Sequence, residues 1–207
     1  MELLDNEHIR AITNILHKLG ERIEGNLICN RTPSNFTIND NIDKIRNLQY
    51  LCKNKKKIME IGINACHSLL IMLLINPNAE YLLFDLNYHT YTIPTLNYIK
   101  EKFPGTKINV VFGDSVETIN QYILNNPDEL NTYDLIHLDG GHTEDIFSQD
   151  YKNSKCLISK GGVVIFDDYN MSNIYNFINQ KVNENEIIEY NDINITKNNL
   201  HFIFTFV

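Results

Sequence analysis

Short apolar runs rich in β-branched residues alternate with longer stretches of helical spacing through most of the chain. The predicted strands are 58–63, 81–86, 107–112, 133–138, 163–166, 186–190 and 201–207. The predicted helices are 6–20, 42–51, 69–75, 91–103, 116–125, 144–157 and 174–182. Parallel neighbours need crossover connections, so this alternation predicts an α/β fold, a mostly parallel sheet with helices on both faces.

We expect one domain over residues 1–207, because the sequence shows neither a repeat nor a second core. Residues 1–54 would form N-terminal helices and a lid-like loop, and residues 55–207 would form the sheet-containing core. The loop is predicted between Glu24 and Asp40, where Gly, Pro, Ser and Asn interrupt any period. A loop of this length is often a lid or a binding segment.

Composition favours a soluble, cytoplasmic protein. Hydrophobic residues make up 43% of 207 residues, and no apolar run reaches the length of a membrane span. The acidic start, residues 1–5, is unlike a signal peptide. The cysteines Cys29, Cys52, Cys66 and Cys156 lack metal-ligand spacing, which suits reduced thiols.

The charge balance argues against nucleic acid as a partner. The formal net charge is -8, whereas phosphate backbones are bound by clustered Lys and Arg. The basic run Lys53–Lys57 is interrupted by Asn54, and we interpret it as a solvated entry to the first strand.

Polar or acidic residues lie at the ends of five successive predicted strands, and this is the strongest functional signal in the sequence. They are Glu60 and Gly62, Asp85, Gly113-Asp114-Ser115, Asp139-Gly140-Gly141-His142, and Asp167-Asp168. Ligands of open parallel sheets bind at the carboxyl ends of the strands, so these residues are predicted to face one site. A single strand-end Asp would more often be a helix cap or a turn residue.

The first turn and Asp85 indicate an adenosyl ligand. Glu60 lies in an apolar strand and needs a polar partner to be buried, which leaves a structural role as the alternative. Asp85 follows the turn at the distance where a carboxylate binds both hydroxyls of a ribose, in either NAD or S-adenosylmethionine. A pyrophosphate site needs several glycines, whereas this turn has Gly62 and then Asn64, Cys66 and Ser68, which favours S-adenosylmethionine.

A second inference concerns Asp139, Asp167 and Asp168. One helix and one strand separate them in sequence, which places them at the ends of neighbouring strands about 5 Å apart. Carboxylates that close repel each other unless a proton or cation lies between them, and oxygen ligands select Mg²⁺ or another hard divalent ion. The alternative is that Asp168 caps the next helix and Asp139 holds a turn.

His142 lies beside this cluster in the sequence and is a candidate general base. We interpret His67 and His89 as structural or surface residues.

From Lys55 onward the chain resembles the class I S-adenosylmethionine-dependent methyltransferases. It is most similar to the metal-dependent O-methyltransferases of the catechol, caffeoyl-CoA and macrolide-sugar types. The matching motifs are Met59-Glu60-Ile61-Gly62 with Ser68, Phe84-Asp85, Gly113-Asp114-Ser115, Leu138-Asp139-Gly140-Gly141-His142, and Gly161-Gly162 through Asp167-Asp168-Tyr169.

The resemblance implies a Rossmann-like core with a seven-stranded sheet whose last strand is antiparallel. It implies that Glu60, Gly62 and Ser68 border the methionine moiety, Asp85 binds the ribose, and Asp114 and Ser115 border the adenine. It also implies Asp139, Asp167 and Asp168 as metal ligands and His142 at the position of the catalytic base. The sequence departs from the family pattern at Cys66, where a second glycine is usual and where a side chain could crowd the methionine end.

These observations lead to one main hypothesis and two alternatives. The main hypothesis is a metal-dependent O-methyltransferase that moves a methyl group from S-adenosylmethionine to a hydroxyl of a small molecule or sugar. An NAD-dependent oxidoreductase or epimerase is disfavoured because no Tyr-x-x-x-Lys pair or second glycine accompanies the turn. A non-catalytic binding protein that kept the fold is the other alternative. The sequence leaves the acceptor, and the choice between monomer and homodimer, open.

Overall fold

The computed structural model of the chain describes residues 6–24, 27–28 and 41–207. Its strands are β1 (Lys57–Ile61), β2 (Glu80–Asp85), β3 (Ile108–Phe112), β4 (Tyr133–Leu138), β5 (Ile158–Phe166), β6 (Ile187–Glu189) and β7 (Phe202–Phe206). Its helices are α1 (Glu7–Leu19), α2 (Ile42–Cys52), α3 (His67–Ile75), α4 (Thr92–Lys102), α5 (Ser115–Asn125), α6 (Glu144–Leu157) and α7 (Ser172–Asn183). A short 3₁₀ helix, Pro127–Glu129, precedes β4.

The strands form one seven-stranded sheet in the order β3-β2-β1-β4-β5-β7-β6. Strands β1 to β5 pair in parallel, and β7 pairs antiparallel with both β5 and β6. Ile61 at the end of β1 is in register with Phe84 of β2 and Leu138 of β4, and Leu138 is in register with Phe166 of β5. The fold prediction is confirmed, and the predicted site residues follow strand ends that lie side by side.

Successive side chains of the central strand enter two apolar cores. Ile58 belongs to the core that contains α1, α2 and α3, whereas Met59 and Ile61 belong to the core that contains α6 and α7. Opposite orientation of neighbouring side chains is the period of a strand, so helices cover both faces as predicted. Leu69 to Leu73 are all fully buried, because α3 packs on every side.

One strand boundary was predicted wrongly. The glycines Gly161 and Gly162 suggested a break before a strand at Val163, but β5 begins at Ile158. Tyr133 pairs with Ile158 and the register then shifts before Leu135 pairs with Val163, so the glycines lie within an irregular strand. Gly161 has φ +78°, a conformation that glycine adopts without a steric penalty.

The N-terminal segment contains both predicted helices. Asn6 caps α1 by accepting a hydrogen bond from the His8 N–H group, and Gly20 ends the helix in the left-handed conformation. Most of the predicted loop 24–40 lies outside the described residues. No helix of the described ranges is both long and apolar enough to cross a membrane.

Candidate active site

A cavity of about 860 Å³ lies at the carboxyl ends of the parallel strands. Ten of the site residues predicted from the sequence line it, namely Gly62, Asn64, Ser68, Asp85, Asp114, Ser115, Asp139, His142, Asp167 and Asp168. Helix α2 contributes Lys44 and Leu48 to the wall, and Asn41, which precedes the helix, also lines it. The volume lies in the range of small-molecule and cofactor sites.

Gly62 is required by the close approach of β1 and β4. The Asp139 N–H group donates to Ile61 O at 2.9 Å, which carries the strand pairing beyond the end of β4. A Cβ atom on residue 62 would lie 1.9 Å from the Asp139 carbonyl oxygen, and the backbone has φ +85°. Only glycine fits here, and this steric requirement explains why the first motif has a glycine at residue 62.

Asp85 connects the two loops that border one end of the cavity. Its Oδ2 accepts a hydrogen bond from the Asn64 N–H group at 2.8 Å, and its Oδ1 accepts one from the Asn87 N–H group at 2.6 Å. A carboxylate has about four lone-pair sites, so further acceptor capacity is left for hydroxyl groups of a ligand.

Cys66 keeps a glycine-like backbone in the turn but points its side chain away from the cavity. Its φ is +60° at the N-cap of α3, and the residue is fully buried. The Thr95 hydroxyl lies 3.5 Å from its sulfur, and burial raises the pKa of the thiol to about 12. Because Cys66 does not line the cavity, the expectation that its side chain crowds the cofactor end is wrong.

Replacing Cys66 by glycine should therefore leave the affinity for S-adenosylmethionine within about threefold of the parent, with the left-handed backbone retained. Isothermal titration calorimetry of Cys66→Gly and of the parent measures this. A tenfold or larger loss of affinity in a folded variant would instead assign the thiol to the site.

Glu60 has the polar partners that its burial requires. The Ser68 hydroxyl donates a short hydrogen bond to Glu60 Oε1, and His137 Nδ1 lies 2.9 Å from the same oxygen. Burial lowers the pKa of His137, but hydrogen bonding to Glu60 and its charge outweigh this and raise the pKa overall. Glu60 itself does not line the cavity; it lies beneath it and positions Ser68, which does.

Cationic or protonatable side chains surround Asp167 and Asp168 at the other end of the cavity. Lys44 Nζ lies 2.5 Å from Asp167 Oδ2, and His142 Nε2 lies 2.7 Å from Asp168 Oδ2. His201 Nε2 and His137 Nε2 lie 3.6 Å and 3.9 Å from the same Asp167 oxygen. Each of these two carboxylates thus has a partner within the chain.

Burial and the charges of neighbouring groups determine the protonation states of Asp139, Asp167 and Lys44. Burial and the charge of Asp167 raise the pKa of Asp139 well above its usual range. Burial alone would raise the pKa of Asp167, but His201, Lys44 and His137 lower it. For Lys44 burial is outweighed by the charge of Asp167, and its pKa is raised. Lys44 is therefore a cation at neutral pH, and Asp167 is its anion.

The arrangement does not fit the Mg²⁺ ion predicted for Asp139, Asp167 and Asp168. Mg²⁺ takes six oxygen ligands at about 2.1 Å, which places neighbouring ligand atoms about 3 Å apart. Within the described ranges, the group whose ligand atoms come within 4.8 Å of one another is His137, Asp167 and His201, which offers two nitrogens and one carboxylate. The Mg²⁺ site is therefore a prediction from the sequence that these contacts do not support.

Sequence reasoning missed Lys44, His137 and His201. His137 had a signal, because it precedes Asp139 by two residues and side chains at that spacing share a face of the strand. Lys44 had a weaker signal, four residues before Leu48 on the apolar side of a helix. His201 lies before β7, where no motif marks it.

His89 connects the N-terminal segment to the cavity rim. Its Nδ1 lies 2.8 Å from Glu21 Oε1, and its ring stacks on Tyr91 at 4.7 Å. His67 is buried, and burial lowers its pKa to about 4. Both histidines line the cavity, which the interpretation as structural or surface residues did not anticipate.

Asp114 and Ser115 lie where the cavity meets α5. Asp114 caps the helix by accepting from the Val116 N–H group at 2.9 Å. Behind them Asp150 of α6 is 2% exposed, and burial raises its pKa to about 7 even though Ser115 donates a hydrogen bond to it.

Asp150 should make the protein less stable as the pH rises from 5 to 8. The folded state keeps the proton up to about pH 7, whereas the unfolded chain loses it near pH 4, so deprotonation favours unfolding across this window. Asp150→Asn should reduce the stability lost between pH 5 and pH 8 by about 2 to 3 kcal/mol. Urea denaturation at both pH values measures this. Asp145→Asn, an exposed change on α6, is the control, and equal pH dependence in Asp150→Asn and the parent would contradict the assignment.

Solved structures with the same fold include known methyltransferases. A protein from Corynebacterium glutamicum has a TM-score of 0.67 at 9% identity, covering 97% of this chain and 89% of its own. The O-methyltransferase TomG of Streptomyces achromogenes, in complex with S-adenosylmethionine, has a TM-score of 0.66 at 11% identity, covering 98% and 90%. CalS11, a TDP-rhamnose 3′-O-methyltransferase of calicheamicin biosynthesis, has a TM-score of 0.58 at 16% identity, covering 79% and 78%.

The sequence comparison identifies the family directly. No curated protein sequence matches the chain significantly. Residues 59–169, more than half of the chain, match the family model described as methyltransferase domain. This range contains the first turn, Asp85 and the Asp139-to-His142 motif. The chain therefore belongs to the methyltransferase domain family, and its fold is that of the class I S-adenosylmethionine-dependent methyltransferases.

Proposed function

We propose that this protein is an S-adenosylmethionine-dependent O-methyltransferase that methylates a hydroxyl group of a small molecule or sugar. One observation carries the proposal. A continuous cavity joins Asp85 and the first turn, at one end, to His142 and the strand-end aspartates at the other. Such a cavity can hold a methyl donor and an acceptor side by side, which is the arrangement that alignment of oxygen, methyl and sulfur needs.

The residues at the first end suit the donor. The Asp85 carboxylate, held by the Asn64 and Asn87 N–H groups, would accept hydrogen bonds from the ribose hydroxyls. Ser68 and Gly62 would border the methionine moiety, and Asp114 and Ser115 would border the adenine. S-adenosylmethionine supplies a methyl group activated by the positive charge of its sulfonium.

The residues at the second end suit an acceptor hydroxyl. His142 is 51% exposed to the cavity and solvent, and its Nε2 bonds to Asp168. This contact assigns the ring proton to Nε2 and leaves the lone pair on Nδ1, where the proton of the acceptor hydroxyl would be taken up. The hydrogen bond to Asp168 raises the pKa of His142, which favours the protonated form that proton uptake produces.

Several observations favour a polar acceptor. The cavity wall includes many charged and polar side chains, among them Arg22, Lys44 and Asp139. The formal net charge of -8 disfavours anionic polymers and anionic membrane surfaces. TomG and CalS11 are both named as O-methyltransferases, and CalS11 acts on a nucleotide sugar. The NAD alternative lacks such support, because the first turn holds Asn64 and Cys66 where a pyrophosphate needs glycine.

The proposal is tested by incubating the protein with S-adenosylmethionine that carries a deuterated methyl group and a panel of hydroxyl acceptors. The panel covers sugars, nucleotide sugars, catechols and aliphatic alcohols, each with and without EDTA. We expect a labelled ether on an oxygen of at least one class, located by mass spectrometry. S-adenosylmethionine binding without transfer to any class would favour a non-catalytic protein, and a labelled nitrogen or carbon would contradict O-methylation. Loss of transfer in EDTA would support the predicted metal.

A further inference from the structure

Lys44 brings a buried ammonium group to the acidic end of the cavity. It extends from α2, outside residues 59–169 of the family match, and is 12% exposed. Its Nζ lies 2.5 Å from Asp167 Oδ2, and the charges of Asp167, Asp139 and Asp168 all attract it. A lysine is seldom buried to this degree without a specific partner.

We propose that Lys44, and not a divalent metal ion, is the cation of the acceptor site, where its ammonium group binds the acceptor hydroxyl oxygen and stabilises the negative charge that develops there. The inference rests on the proposed methyl transfer and names the residue that would perform the task predicted for Mg²⁺.

Asp167 is already occupied by cationic and protonatable side chains of the chain itself. Its Oδ2 is the oxygen closest to Lys44 Nζ, and His201 and His137 flank the same atom at 3.6 Å and 3.9 Å. A divalent ion on this carboxylate would lie beside the ammonium group and would be repelled by it. Asp168 is bonded to His142, so it too is not free to ligate an ion without giving up that contact.

Lys44 lies where an acceptor would bind. Lys44 contacts Asp167 and His142 contacts the adjacent Asp168, and both side chains line the same cavity, so one acceptor can reach both of them. Lysine has three donors, and one bond to Asp167 leaves two for a ligand. Asp167 fixes the direction of the side chain, which makes the cation preorganised for a charge that forms during the reaction.

The reaction then balances without a metal. The acceptor hydroxyl gives its proton to His142 Nδ1, and its oxygen lone pair forms the new carbon–oxygen bond. The carbon–sulfur bond of S-adenosylmethionine breaks, and its electron pair stays on sulfur, which leaves neutral S-adenosylhomocysteine. Lys44 keeps its proton throughout and donates a hydrogen bond to the reacting oxygen.

The experiment compares the parent with Lys44→Met, Lys44→Ala and Lys44→Arg. Lys152→Met, which removes an exposed lysine on α6, is the control. Binding of Mn²⁺, a spectroscopic substitute for Mg²⁺, is titrated by electron paramagnetic resonance. We expect no stoichiometric Mn²⁺ binding to the parent, to Lys44→Arg or to Lys152→Met, and new binding to Lys44→Ala, where the carboxylates have lost their cation.

Kinetics on an acceptor found in the panel provide the second readout. We expect EDTA to leave the rate of the parent unchanged. Lys44→Met should lower kcat by about 10²-fold or more, whereas Lys44→Arg should retain part of the parental kcat. Stoichiometric Mn²⁺ binding to the parent, with activity lost in EDTA, would overturn the inference, as would a parental kcat in folded Lys44→Met. Affinity for S-adenosylmethionine is measured in the same series. Absence of that binding would refute the proposed function, whereas the Mn²⁺ titration would still decide the role of Lys44.

Discussion

Replacing His142 by alanine should lower kcat for methyl transfer by about 10² to 10⁴, the contribution of a positioned general base. The contact of Nε2 with Asp168 at 2.7 Å restrains the orientation of the imidazole, and His142 lines the cavity. Removal of the ring leaves the acceptor proton to water. The affinity for S-adenosylmethionine should stay unchanged, because the residues assigned to the donor lie at or after the ends of β1, β2 and β3, whereas His142 follows β4.

The matched variant is His142→Gln, whose amide can still donate to Asp168 but has no basic nitrogen. It should be as slow as His142→Ala. Steady-state kinetics and calorimetric affinities for both variants make the comparison. Parental kcat in either folded variant would remove His142 from the proton transfer, and a loss confined to the affinity for S-adenosylmethionine would place it in the donor site instead.

Replacing Asp85 by alanine should weaken binding of S-adenosylmethionine by about 2 to 4 kcal/mol, a factor of about 30 to 1,000 in Kd. The change removes the acceptor of the ribose hydroxyls, and it also frees the N–H groups of Asn64 and Asn87 that shape the two loops. Both effects act on the same end of the cavity.

Asp134 provides a control with the same local chemistry. Its carboxylate accepts from the Lys56 and Lys57 N–H groups at 2.7 Å and 3.2 Å, at the amino end of the sheet. Asp134→Ala should therefore leave the Kd for S-adenosylmethionine unchanged, while thermal denaturation checks that both variants are folded. Equal affinities for Asp85→Ala and the parent would show that Asp85 shapes loops without contacting the donor.

The fold was predictable because the periodicity of apolar residues and the positions of turn-forming residues indicate the same elements. The strands alternate with helices, and the turn-forming residues Asn76-Pro77-Asn78 and Pro104-Gly105 fall between elements in the structure. The error at β5 has a physical reason, since two glycines within an irregular strand resemble a turn in sequence. The local pattern of apolar and polar residues does not show whether a neighbouring strand can accommodate a register shift.

The site was predictable where residues follow strands and less so where distant elements meet. Parallel strand ends converge by geometry, so Asp85, Asp139 and Asp167 could be placed in one cavity from their positions alone. The Lys44 contact joins α2 to the end of β5, across 123 residues of sequence. No periodicity of the sequence predicts such a contact. The contact shows that the strand-end carboxylates are not a purely anionic cluster, because the Lys44 ammonium group lies among them.

The central claim, a cavity built for S-adenosylmethionine, is tested most directly by isothermal titration of the parent protein with S-adenosylmethionine, S-adenosylhomocysteine and NAD. We predict saturable binding of the first two at one site per chain, weakened by Asp85→Ala and unaffected by Asp134→Ala, and no binding of NAD. Saturable binding of NAD that Asp85→Ala weakens, with no heat from either adenosyl compound, would contradict the account.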